Sequence, residues 1–527
     1  MARDETTPLL ERTTGPEDRS KEQPASIARG AALIIFPYFL FALFAGAAAT
    51  IEIEAIGQIA CQLVVPVPVP TASGKERLEW EAMCRVAPDV LRRTSSVVTE
   101  ILLIAGILSA LTAAWWGGLS DRRGRRLILA ATSMTDIVTN VVMILVLAYP
   151  HSFGFRWLLV SAVLSGLGGG QLASMAIGAT YLSDLAPPES KTQVLSLYEA
   201  ATFSGMAVGP LIGPYLMRIR GLGVVAPYVG LLLVRALFVL SLPFLRETRP
   251  TLRAASESSG ASDSETSAAG SRSLLVRIVT APVELVRPMK VLAPAKVDGR
   301  RDYRLPLVAA SYALLMIIPG LGPVKIFYAR GTFGWGPLET GRFITYTGAL
   351  KLVVLAGLVP LAARLLRKAV PAPVPEGSAD APSESPVEAL PSPSSSVWDL
   401  ALAKTSIALA LAGYLIMLIP TKTHFVPFVV GTAFTAFAAA APPALLSLAL
   451  AFSAPENSGK VLASLSALAT VSMTAVGPSV FGSVYAATLQ WWSGFVFLLA
   501  AMWVASSLVP LFGVKLRPDG RPTSAVV

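Results

Sequence analysis

Two apolar runs, roughly 97–116 and 127–148, are joined by Gly117-Gly118-Leu119-Ser120-Asp121-Arg122-Arg123-Gly124-Arg125-Arg126. From Asp121 to Arg126, five of six residues are charged, and four of those five are arginine. Such a cluster cannot lie in hydrocarbon, while each flanking run is long enough to cross it as a helix. The chain therefore turns sharply at a membrane surface. Arginine in a short turn puts that surface on the cytoplasmic side.

The pattern repeats along the 527 residues, of which 54% are hydrophobic and only 14% charged. Soluble domains carry about 25% charged residues. Twelve apolar runs are read as spans: about 30–51, 97–117, 127–149, 156–184, 193–217, 224–245, 305–327, 341–364, 398–419, 424–452, 460–488 and 491–514. The fold class that follows is an all-α integral membrane protein of 12 transmembrane helices in two six-helix halves. Internal Pro and Gly are compatible with this, because neighbouring helices re-satisfy the backbone.

Between the spans the expected organisation is a cytosolic disordered tail over 1–29, an N-terminal half over 30–247 with an external loop at 52–95, and a cytosolic linker over 248–303. A C-terminal half follows over 304–514, with a low-complexity cytosolic loop at 370–396, then a tail over 515–527. The net charge of +10 follows topology and not nucleic-acid binding. Arg122 to Arg126, Arg246, Arg249, Arg253, Arg364, Arg367, Lys368, Lys515, Arg517 and Arg521 fall beside span ends that an even count places in the cytosol, with both termini, while Lys75, Arg77, Arg92, Arg93, Arg218 and Arg220 fall outside. The first 29 residues lack the apolar core of a signal peptide. Leu274 to Met289 is amphipathic enough to lie on a membrane face.

Both cysteines, Cys61 and Cys84, lie in the expected external loop. A non-cytosolic compartment permits disulfides, and two cysteines allow one pairing. A bridge would stabilise the loop by roughly 3 kcal/mol; the alternative is two free thiols. The run Val64-Val65-Pro66-Val67-Pro68-Val69-Pro70 is expected to be extended.

The turn after the second span resembles the loop 2–3 signature of the major facilitator superfamily, G-x-L-x-D-R-x-G-R-R. Gly117, Leu119, Asp121, Arg122, Gly124, Arg125 and Arg126 match it without a gap. The resemblance implies a gate: Asp121 would receive Arg126 and the N-terminal end of a neighbouring helix, locking the halves in the outward-open state, with Asp184 as the third charge of that cluster. It also implies two halves related by duplication. Ala207-Val208-Gly209-Pro210-Leu211-Ile212-Gly213 in span 5 has its counterpart in Ala475-Val476-Gly477-Pro478-Ser479-Val480-Phe481-Gly482 in span 11. Gly205, Gly209, Pro210 and Gly213 resemble the family's span-5 signature, with Pro214 where the last glycine usually stands. These small residues, like Gly477 and Pro478, let helices approach and bend; whether they also serve gating is open at this point.

Ile51-Glu52-Ile53-Glu54, Ala113-Ala114-Trp115-Trp116-Gly117 and Tyr181-Leu182-Ser183-Asp184 resemble a group of fungal facilitators distantly similar to the proton-coupled folate and haem carriers. The likeness implies the fold and hardly constrains the substrate. The arginine-bearing span-4 signature of drug–proton antiporters is absent; that region reads Ser165-Gly166-Leu167-Gly168-Gly169-Gly170-Gln171.

Ionisable residues inside spans are expensive and thus candidate sites. Asp136, Arg235 and Lys351 each lie about ten residues into spans 3, 6 and 8. Glu199 is roughly two turns into span 5, Glu100 near the outer end of span 2 and Lys325 near the outer end of span 7. Asp136 and Arg235 share a depth and form either a structural ion pair or a protonation site that changes partner. Lys351 is a candidate anion contact or a gate partner of Glu199, which could instead reach water at its span end. Gln171 is an uncharged substrate contact or an interhelical hydrogen-bonding group. His151 and His424 lie near external ends.

The functional expectation is a secondary active transporter of a small organic solute, working by alternating access on a proton gradient. The alternatives are drug or toxin efflux by proton antiport, or a substrate-sensing receptor on a transporter fold. No cofactor or metal is expected, and no enzyme: Gly459-Lys460 lacks the flanks of a nucleotide-binding loop, and no nucleophile–base set appears. Expected partners are the solute, the lipid bilayer and, through Glu5-Thr6-Thr7-Pro8-Leu9-Leu10, sorting adaptors. That run resembles the acidic dileucine signal E-x-x-x-L-L, anchored on Glu5, Leu9 and Leu10, the alternative being an unstructured tail; the expected location is a vacuolar or endosomal membrane, or the plasma membrane. The default oligomeric state is a monomer.

Overall fold

A computed structural model describes residues 16–64, 80, 83–84, 86–186, 191–245, 247, 291–297, 300–361, 393–419, 424–453 and 457–514. The N-terminal half comprises α1 (Pro16–Val64), α2 (Pro88–Arg123), α3 (Arg125–Ala148), α4 (Pro150–Leu167), α5 (Gly170–Leu185), α6 (Lys191–Leu216) and α7 (Ala226–Ser241). A two-stranded antiparallel hairpin, β1 (Ala295–Val297) and β2 (Arg300–Asp302), precedes the second half. That half comprises α8 (Arg304–Leu315), α9 (Gly322–Phe333), α10 (Pro337–Leu352), α11 (Pro393–Met417), α12 (Val426–Ala436), α13 (Ala441–Ala451), α14 (Ser458–Val471), α15 (Gly477–Thr488) and α16 (Phe495–Gly513). Short 3-10 or π-helical turns join α8 to α9, α12 to α13 and α14 to α15, so each pair forms one bent span.

Among the described residues, ten helices are long and apolar enough to cross a membrane. The other two expected spans are physically distinct. Lys191–Leu216 begins with a polar turn and carries Pro210 and Pro214. The run expected as one span over 156–184 is two helices, α4 and α5, broken at Gly168 to Gly170. Gly169 and Gly170 have φ of 83° and 62°, values that interrupt a right-handed helix and that side chains rarely adopt. At the break α2 bonds to two carbonyls, that of Leu167 and that of Gly166, which also accepts from the Gly169 N–H at 3.1 Å. Thr112 donates its hydroxyl to the Gly166 carbonyl at 2.7 Å, and the Trp116 indole N–H donates to Leu167 at 2.9 Å. In hydrocarbon a broken helix survives where neighbours supply such bonds.

Several boundaries differ from the sequence reading. Residues 16–29, expected in a disordered tail, belong to α1. Residues 52–64 and 88–95, expected in the external loop, continue α1 and begin α2. Ile51 to Val64 contains no proline, and its single glycine, Gly57, is tolerated inside the helix; the first proline is Pro66. Pro88 suits the first helical turn of α2. The linker ends in the β1–β2 hairpin, and α11 begins at Pro393, inside the expected 370–396 loop. Glu5, Leu9, Leu10, Leu274 to Met289 and the extended run after Val64 lie outside the described residues.

The sequence duplication corresponds to a duplicated contact. Gly205, Gly209 and Gly213 lay one face of α6 directly on the α1 backbone around Phe39, Leu43 and Ala47. Gly46 of α1 sits against Gly209 and Pro210, and Gly320, just before α9, sits against Gly477 and Pro478. In both halves the first and fifth spans meet backbone to backbone, as small-residue interfaces in membranes allow. Cys61 and Cys84 are joined as a disulfide, with Cα atoms 5.7 Å apart, in a small apolar cluster with Ala60 and Val90.

Candidate functional site

The bundle has two unlike ends: one carries Gly117 to Arg126, the other the disulfide. Between the halves, towards the arginine end, lies a cavity of about 610 Å³. α2 contributes Ser109, Ala113 and Gly117, α5 contributes Ala173 and Thr180, and α14 contributes Ser466 and Thr470. Its walls are small side chains and hydroxyls. Asp121 and Arg125 also line it, and the Asp121 carboxylate is exposed.

At the disulfide end the halves close on each other. The Thr345 hydroxyl of α10 donates to the Ala207 carbonyl of α6 at 2.9 Å. Gly341 abuts Pro210, Gly482 abuts the Thr99 side chain, and Gly331 abuts Leu91. Within this seal the Arg330 guanidinium of α9 lies 3.0 Å from the Glu54 carboxylate of α1, with 7% and 6% of the side chains exposed. Arg330 lies over Gly57, where a side chain would crowd it. The Gln58 amide nitrogen is 3.5 Å from Glu54.

Sequence reasoning missed this pair. Glu54 fell in the segment assigned to a loop, where charge costs little. Arg330 fell three residues past the assigned end of span 7 at 327. The available signal was the lack of any proline between Ile51 and Val64.

The arginine turn is built on Gly124, whose φ of 104° lets α3 start one residue after α2 ends. Arg125, and not Arg126, receives Asp121, at 2.5 Å, and also Asp184 at 3.0 Å. Arg125 further donates to the Ser120 hydroxyl at 3.3 Å. Arg126 instead turns its backbone N–H towards Glu247, 3.5 Å away. Glu247 thus sits at the start of α3, where a carboxylate is favourable, and Gly124 leaves the space it fills. Arg122 and Arg123 are exposed. Asp121, Arg125 and Asp184 all belong to the N-terminal half.

Asp136 and Arg235 form an ion pair at 2.8 Å. The Arg235 side chain is 1% exposed, lies 3.4 Å from the Ser174 hydroxyl and stands 3.6 Å over the Phe41 ring. Tyr38 donates to the Ser174 carbonyl at 2.8 Å. This network joins α1, α3, α5 and α7 and stays within one half.

Lys325 is buried, with Nζ 3.2 Å from the Thr435 hydroxyl and 5.1 Å from the Tyr414 ring centre. Lys351, Glu199 and Glu100 are exposed and Gln171 is half-buried. α6 and α10 do face each other across the halves, yet no ion pair joins Glu199 to Lys351 among the described residues.

Residues 25–375 match the Major Facilitator Superfamily. The chain is 24% identical to the MFS-type transporter avaJ of Aspergillus versicolor over 519 residues, 95% of each chain. The solved structure of the human organic anion transporter MFSD10 is similar with a TM-score of 0.54 at 19% identity, covering 92% of this chain and 99% of that one. The inward-open xylose transporter XylE of E. coli is similar with a TM-score of 0.56 at 14% identity, covering 93% and 96%. The structural likenesses speak to the fold. With a family match across 25–375, well over half its length, the chain belongs to the major facilitator superfamily of membrane transporters.

Proposed function

We propose that this transporter moves a small organic solute by alternating access between its halves, driven by a proton gradient. The observation that carries the reading is the asymmetry of the two ends: a cavity of about 610 Å³ at the arginine end, and a closed inter-half seal at the disulfide end. With the arginine turn in the cytosol, the cavity faces inward and the disulfide faces outward. The cavity walls of alanine, serine and threonine suit a neutral or amphipathic solute held by hydroxyls. The candidate carboxylates for proton coupling are Asp136 and Glu54, each held deep in apolar helices and paired with an arginine. No cofactor is assigned, and the transporter is read as a monomer.

The experiment uses the purified chain in liposomes with an imposed pH gradient, supplied with pools of organic solutes. Gradient-driven movement of a solute that stops with a protonophore is the expected result. Movement that ignores the protonophore removes proton coupling from the reading, and movement of no solute in either direction removes transport of small organics. Direction relative to the gradient decides between uptake and efflux. The Glu5–Leu10 signal favours a vacuolar or endosomal membrane; imaging of a tagged copy separates this from the plasma membrane.

A further inference from the structure

Among the described residues, the buried charged side chains are Glu54, Arg125, Arg235, Lys325 and Arg330. Four of these stand in ion pairs: Glu54 with Arg330, Arg125 with Asp121 and Asp184, and Arg235 with Asp136. Lys325 differs. Among the described residues no carboxylate comes within ion-pair distance of it; its Nζ lies 3.2 Å from the Thr435 hydroxyl and 5.1 Å from the Tyr414 ring centre. The Thr435 proton is already given to the Thr432 carbonyl at 2.8 Å, so its oxygen accepts from the ammonium. One neutral oxygen and a ring face do not balance an ammonium with three donors. Inside an apolar bundle such a charge is costly until a counter-charge reaches it.

A second lysine, Lys351 of α10, is close enough to Lys325 for the two charges to act on each other. It lies where the halves part. α10 rests on α6 along one stripe: Gly341 on Pro210, Thr345 bonded to the Ala207 carbonyl, and Gly348 beside Ala207. One turn further on, the stripe reaches Lys351 and Leu352, which are exposed. α10 starts just after Gly331, which abuts Leu91 at the disulfide end, so this further turn lies towards the arginine end. Lys351 thus stands on the face between the halves, and Lys325 stands behind it within the second half. Among the described residues Lys351 has no ion-pair partner either.

We infer that Lys325 and Lys351 form the binding site for the charged group of the transported solute, which makes that solute an organic carboxylate. This rests on the transport reading above and names its substrate class. A carboxylate entering from the arginine end meets Lys351 first. Lys325, on a flexible four-carbon stem, can turn its unfilled donors towards it. The alanine, serine and threonine walls of the cavity then hold the uncharged remainder. An inorganic anion would answer the charge but leave a cavity of about 610 Å³ unfilled. A neutral analogue would fill space and leave both lysines without a counter-charge, so the site discriminates by charge.

The test reads binding to the purified full chain in detergent, through its thermal unfolding temperature at fixed pH and ionic strength. The probes are benzoate, hexanoate and succinate at millimolar concentration, each beside its own amide, with potassium chloride as the inorganic control. A ligand that binds the folded protein raises the unfolding temperature. At least one carboxylate is expected to raise it by several degrees, and its amide and chloride are not. Lys325→Met is expected to abolish the rise. Without ligand this variant should unfold no earlier than the parent, because methionine removes a buried charge that has no carboxylate beside it; a lost rise then cannot be blamed on a weakened fold. Lys351→Gln is expected to raise severalfold the concentration that gives half the rise. Its position is exposed, so it decides the matter should Lys325→Met fail to fold. A rise that the variants keep in full overturns the lysine site. An equal rise with the amide or with chloride overturns the organic-anion class, and so does no rise with any of the three carboxylates. The transport reading stands or falls separately: a carboxylate that binds while no solute moves in liposomes overturns that reading alone. Movement of a neutral solute that both variants retain overturns the anion class and leaves transport standing.

Discussion

Arg235 shows how this chain carries charge inside an apolar bundle. Its guanidinium is held by Asp136, by the Ser174 hydroxyl and by the Phe41 ring. A buried pair adds little net stability over an apolar replacement, but removing one member costs about 3–5 kcal/mol. Asp136→Asn is therefore expected to lower the thermal unfolding temperature in detergent sharply, and Asp136→Asn/Arg235→Met to recover most of the loss. If Asp136→Asn instead folds normally and only proton coupling disappears, the pair is a working site and its structural role is secondary. The pair's depth was legible in the sequence, because a charge about ten residues into an apolar run stands out wherever the run ends. Glu54 and Arg330 were not legible, since each lay within a few residues of a span end that sequence alone cannot fix. Arg125 and Arg126 are equivalent in a pattern of letters; in the present arrangement Arg125 meets Asp121, while Arg126 turns its backbone N–H to Glu247 beyond Gly124.

Among the elements, the α4–α5 break is the clearest departure from the regular helix that hydropathy implies. The glycine-rich stretch Gly166 to Gly170 was visible, but glycines are tolerated in continuous membrane helices, so composition could not signal a break. What decides it is Thr112 and Trp116 of α2, more than fifty residues upstream, bonding to the Gly166 and Leu167 carbonyls. Glycines in the two neighbouring segments therefore differ in role. At Gly169 a Cβ would need a positive φ of 83° and would sit 2.7 Å from the Trp116 ring. Gly169→Ala is expected to destabilise the protein by about 2 kcal/mol or more, from left-handed strain and overpacking together. At Gly117 a Cβ meets nothing within 4 Å, so Gly117→Ala is expected to leave stability unchanged or slightly raised. Thermal melts of the two variants side by side check this. Equal effects would mean that the break is not fixed by sterics at Gly169.

On the scale of the whole molecule, the duplicated glycine–proline contact would hold each half together as a body in the proposed alternating-access cycle. Gly46 on Gly209–Pro210 and Gly320 on Gly477–Pro478 lock first to fifth span with no side chain between them, leaving little freedom inside a half. Among the described residues, the contacts between halves include one hydroxyl bond and one ion pair towards the disulfide end, small-residue abutments such as Gly341 on Pro210 and Gly106 on Thr474, and apolar packing in a cluster that both halves share. α6 and α10 offer a direct check. A Cβ built on Gly348 lies 3.9 Å from that of Ala207, close to the mean of about 3.8 Å in disulfides. Ala207→Cys/Gly348→Cys is expected to form a bridge on mild oxidation. Proteolysis within the 248–303 linker should then leave the two halves joined on a non-reducing gel and separated on a reducing one. The oxidised protein should also fail to move solute, and reductant should restore movement, with the parent protein treated identically to account for Cys61–Cys84. Efficient bridging with undiminished transport would mean that α6 and α10 stay together throughout the cycle, and the halves would then have to part elsewhere. Bridging that stops transport would mean that the α6–α10 face, beside the Glu54–Arg330 pair, is where the halves must part.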